Sequence, residues 1–134
     1  MTIRQHIKIL SVGLLLMFLC SGALFSASAV AAEGTSPIKQ MAAILLQLHH
    51  YPSQEDKVIL QSIIDNKSTR EFERTIATAI LNLNHKATAS DITALKAVIM
   101  SKDSTDNEKD LATSVINLNH EPTPKDKKRL ELMK

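Results

Sequence analysis

The sequence predicts an all-α fold of tandem antiparallel helical hairpins, on three observations. A 35-residue segment recurs without a gap, apolar residues fall at helical spacing along it, and no glycine follows Gly34. About six helices are expected, as a short α-solenoid or a compact helical bundle behind an N-terminal signal peptide.

The first 32 residues read as a targeting segment. Arg4, His6 and Lys8 form a positive start, Ile9 to Phe25 is strongly apolar, and Ser26 to Ala32 supplies small residues. Ala29-Val30-Ala31 fits the A-x-A pattern, which places cleavage after Ala31 and export to the periplasm or the exterior. Two alternatives are an uncleaved membrane anchor over residues 9–32 and lipid attachment at Cys20. Leu19 suits the second poorly. The expected organisation is a signal peptide at 1–31, a short linker at 32–36, and a helical-repeat domain at 37–134.

Removing the segment also removes the net charge. Of sixteen Lys/Arg, Arg4 and Lys8 lie within it, leaving fourteen against fourteen Asp/Glu. The basic balance of the whole chain therefore indicates no nucleic-acid partner. Lys125, Lys127, Lys128 and Arg129 share a helix with Asp126 and Glu131 and read as a solvated helix face. The single cysteine, Cys20, leaves with the segment, so the remainder is held by packing without a disulfide. With Tyr51 and Phe72 its only aromatic residues, its core must be aliphatic.

The repeats are 41–75, 76–110 and a truncated 111–134. Five positions are identical in all three copies: Ala42/Ala77/Ala112, Leu48/Leu83/Leu118, His50/His85/His120, Asp56/Asp91/Asp126 and Leu60/Leu95/Leu130. A sixth is always a hydroxyl residue, Ser53, Thr88 or Thr123. Within each copy the first helix carries an apolar face such as Phe72, Ile76, Ile80 and Leu83. The second repeats Leu60, Ile63, Ile64 as Leu95, Val98, Ile99, then Leu130 with Met133.

Punctuation sets the helix starts. Ser53/Asp56, Thr88/Asp91 and Thr123/Asp126 place a hydroxyl three residues before an acid, the spacing of a capping box. Pro124 stands at a first helical position, and Pro52 and Pro122 help stop the preceding helices. Ser68-Thr-Arg-Glu71 and Thr105-Asp-Asn-Glu108 read as two further boxes. Helices are expected near 37–50, 54–66, 70–85, 89–101, 106–120 and 124–133. The period resembles that of helical-hairpin repeats such as tetratricopeptide repeats. Their Trp, Gly-Tyr, Ala, Phe and Pro pattern is missing, so no family is assigned. Three hairpins can stack or close into a bundle, and the stack is preferred.

The recurring histidines are the candidate chemistry. His50, His85 and His120, joined by His49 in the first copy, have the residue type for a metal site. The simpler reading makes each a corner residue that meets a helix C-terminus and pairs with Asp56, Asp91 or Asp126. It is preferred because packed helices set equivalent residues on the order of 10 Å apart, too far for one ion. Asn82, Asn84, Asn117 and Asn119 are expected to satisfy helix ends.

No catalytic or cofactor-binding residue is assigned, and no enzyme is expected. Phosphate loops, a G-x-S-x-G elbow, a Cys nucleophile and an H-E-x-x-H pair are all missing from the sequence after Gly34. The expected function is an exported non-enzymatic scaffold that binds a protein or peptide, without cofactor. The alternative is a small His-based metal carrier.

Overall fold

A computed structural model describes residues 35–134. The expected targeting segment and its expected cleavage lie outside the described residues. Six α-helices follow in order: α1 (Pro37–Gln47), α2 (Gln54–Asp65), α3 (Glu71–Leu81), α4 (Ala89–Met100), α5 (Asp106–Asn117) and α6 (Pro124–Glu131). There is no strand among them, and none of these helices is long and apolar enough to cross a membrane.

Each start is fixed by a local cap. The hydroxyls of Ser53, Thr88, Thr105 and Thr123 accept the backbone N–H three residues on, satisfying a donor that the helix itself cannot. Asp56 completes its box by accepting the Ser53 N–H at 2.9 Å, and Glu108 does the same for Thr105 at 2.6 Å. The expected box at Ser68 is corrected. α3 starts at Glu71 behind the N-cap residue Arg70, whose N–H donates to Glu73 at 3.2 Å, and no hydroxyl caps it.

The odd-numbered helices end three or four residues before the expected positions. Leu48 and Leu118 are already extended, with ψ of 127° and 128°. Even so, Leu48, Leu83 and Leu118 are each only 3 % exposed. The helix is given up there so that a leucine can enter the core while the next two residues turn outward.

The core is built from matching positions. Met41, Ile76 and Leu111 are fully buried, as are Ala42, Ala77 and Ala112, and Leu45, Ile80 and Val115. These side chains lie on α1, α3 and α5, each of which packs against the other two. The outer helices add Leu60, Leu95 and Leu130, also fully buried. α2 bridges α1 and α3, α4 bridges α3 and α5, and α6 bridges α5 and α1.

That last contact corrects the preferred open stack. In a stack α6 would end the array, with α1 two repeats away. Here α6 packs on α1, so the array closes with one hairpin in each third of the circle. The physical reason is edge burial. An open array needs polar terminal repeats to cover its apolar ends, and these copies have no such specialised ends.

Candidate metal centre

The three corners after α1, α3 and α5 meet at one end of the bundle. The His50 N–H donates to the His120 carbonyl at 2.9 Å, His85 to His50 at 2.7 Å, and His120 to His85 at 2.8 Å. These bonds form a closed ring in which each histidine backbone donates once and accepts once. Closing the ring requires a sharp reversal, and all three histidines have positive φ, at 68°, 66° and 68°. Around His50 the reversal is a γ-turn, with the Tyr51 N–H donating to the His49 carbonyl at 2.8 Å.

Positive φ costs a residue with a Cβ on the order of 1 kcal/mol or more, and glycine is the usual occupant of such positions. Histidine stands there three times. The other four identical positions have evident structural work. Ala42, Leu48 and Leu60 and their counterparts fill the core, while Asp56, Asp91 and Asp126 serve the caps. The histidines are the one identical position that is exposed in all three copies. The backbone ring needs a residue that tolerates positive φ. It does not need an imidazole.

The imidazoles converge as well. Nδ1 of His50 lies 3.1 Å from that of His85 and 2.8 Å from that of His120, with 3.1 Å between His85 and His120. Ring centroids are 4.9–5.0 Å apart and the ring planes cross at 66–88°. The nitrogens are thus closer together than the rings that carry them, and all three face a common axis. The expected separation near 10 Å is overturned. It assumed neighbours in a stack, whereas closure brings the three corners to one point.

Three such nitrogens cannot satisfy one another. In a neutral imidazole Nδ1 either donates or accepts, never both. In any triangle two members share a role, so at least one pair sets lone pair against lone pair or N–H against N–H. A cation on the axis resolves the conflict, because it takes all three lone pairs at once while Nε2 keeps the proton. Metal–nitrogen bonds of about 2.0–2.1 Å imply nitrogen separations near 2.9 Å for an octahedral face and about 3.4 Å for a tetrahedron. The observed triangle lies closer to the octahedral face.

Electrostatics favour the same occupant. The C-terminal ends of α1, α3 and α5 all lead into this corner, and helix C-termini carry partial negative charge. The other sequence-derived roles fall elsewhere. His49 stands beside the triad but is not among the nitrogens that converge. The recurring aspartates do not bond the histidines. Instead Asp91 accepts from Asn82 at 3.2 Å and Asp126 from Asn117 at 3.3 Å, besides their capping hydroxyls. Asn82 and Asn117 therefore brace the caps. At the rim, the Lys127 ammonium donates to Glu121 at 2.8 Å and holds its carboxyl below the usual value.

No family model, curated protein or solved structure matches this chain. The functional reading therefore rests on its own geometry.

Proposed function

We propose that this protein is an exported metal-binding protein whose site is the Nδ1 triangle of His50, His85 and His120. The observation that carries the reading is the mutual approach of three Nδ1 atoms to 2.8–3.1 Å around one axis. Borderline first-row divalent ions, nickel and cobalt among them, suit imidazole donors. The export signal in the first 31 residues supports a role in the cell envelope or outside. Tandem duplication of one hairpin supports a site made by three copies of a single residue.

A second reading is the protein- or peptide-binding scaffold. It is favoured by Val58 and Ile59, which are 64 % and 38 % exposed on α2. Ile59 also borders a cleft of about 300 Å³ with Ala43, Ile44 and Gln47. Calorimetric titration with nickel separates the two. The metal reading expects saturable heat at one ion per chain, abolished in His85→Gly. A scaffold gives no stoichiometric heat, and that result would count decisively against the metal reading.

A further inference from the structure

Three neutral imidazoles bring no negative charge to a divalent ion. All three donors also come from one end of one bundle, so they occupy a single face of the coordination sphere. With nitrogens about 3 Å apart and bonds of about 2.0–2.1 Å, an ion held by all three would have to lie to one side of their plane. That leaves adjacent positions opposite the three nitrogens. His50, His85 and His120 are all exposed, so those positions are reachable from solvent.

The setting selects what can enter. Nδ1 is one bond from Cγ, so each coordinating atom lies close to the hydrogen-bonded backbone ring. The next residues, Tyr51, Lys86 and Glu121, are long and exposed around it. Each directly follows a triad histidine and is exposed, so a second protein face would meet these side chains as well, whereas a small molecule needs less room. Lys86 adds a positive charge at this rim. Glu121, the one acid among the three, is paired with Lys127.

Resting on the metal reading, we infer that the ion bound by His50, His85 and His120 takes a small anionic oxygen- or nitrogen-donor ligand, such as a carboxylate, at its open face. The anion replaces water on the ion, and no bond within the protein changes. Its negative charge offsets the uncompensated charge of the ion. Binding is therefore mutual: the anion strengthens retention of the metal by the same factor that the metal strengthens retention of the anion.

The test uses the exported chain loaded with cobalt(II), with acetate and azide as probes and visible absorption as the readout. The expected result is a saturable spectral change at one anion per cobalt. Apparent cobalt affinity should rise on the order of tenfold at saturating anion, and His85→Gly should show neither effect. Stoichiometric cobalt uptake with a spectrum that neither anion moves would overturn this inference and leave the metal reading standing. Two chains per cobalt would overturn it as well, because the open face would then be filled by a second copy. Failure to take up cobalt would overturn the metal reading itself.

Discussion

If His50, His85 and His120 hold an ion as proposed, saturating nickel should raise the thermal midpoint of this protein by about 15 °C, and His85→Gly should remove the rise. The magnitude follows from linkage. An ion that binds only the folded chain at about a thousandfold its Kd adds about 4 kcal/mol of stability. For a domain of roughly 100 residues each kcal/mol is worth about 4 °C or more. The unfolded chain has no comparable site, because His50, His85 and His120 are separated by 35 residues each. Glycine is the informative replacement. It accepts the positive φ of position 85, so the metal-free variant keeps the wild-type midpoint or exceeds it. Paired scans by circular dichroism, with and without nickel, check both halves. A midpoint that nickel leaves unmoved in the wild type would refute the linkage.

Leu130→Ala is the second large effect, and its size reports on closure. Leu60, Leu95 and Leu130 are equivalent and fully buried on α2, α4 and α6. In a closed ring each outer helix packs on its own inner helix and on the next, and for α6 the next is α1. Removing the Leu130 side chain therefore leaves a cavity of the same kind as at Leu60 or Leu95. Each truncation should cost about 2–5 kcal/mol. An open array would place Leu130 at a frayed end, where truncation costs under about 1 kcal/mol. Chemical denaturation of the three variants compares them directly. Parity between Leu130→Ala and Leu95→Ala supports closure, and a mild Leu130→Ala refutes it.

Helix starts could be read from the sequence because their causes are local. Thr105 and Glu108, or Ser53 and Asp56, do their work within four residues, and the spacing alone places the cap. Position 70 misled because a hydroxyl at Ser68 matches the same spacing without serving it. The ends of α1, α3 and α5 were not legible. Their last residues leave the helix to meet partners 35 or 70 positions away, as when His50 N–H reaches the His120 carbonyl. Nothing near His50 announces that bond.

The candidate site divides in the same way. Its members were visible as the recurrence of His50, His85 and His120, but their meeting was not. Convergence depends on the rotation from one hairpin to the next, which the packing of Ala42, Ala77 and Ala112 among the inner helices helps to set. No short motif encodes it. The simpler reading of the histidines as corner residues was half right: their backbones do build the corner. It failed for the side chains, whose Nδ1 atoms face one another, while Asp91 and Asp126 accept from Asn82 and Asn117.

The most direct measurement of the central claim is a crystal structure of the nickel-loaded protein with anomalous scattering recorded at the nickel edge. One peak is expected on the pseudo-threefold axis, about 2.1 Å from Nδ1 of His50, His85 and His120 together. A peak bound to fewer than three of these imidazoles, or three imidazoles standing apart without a shared ion, would contradict it.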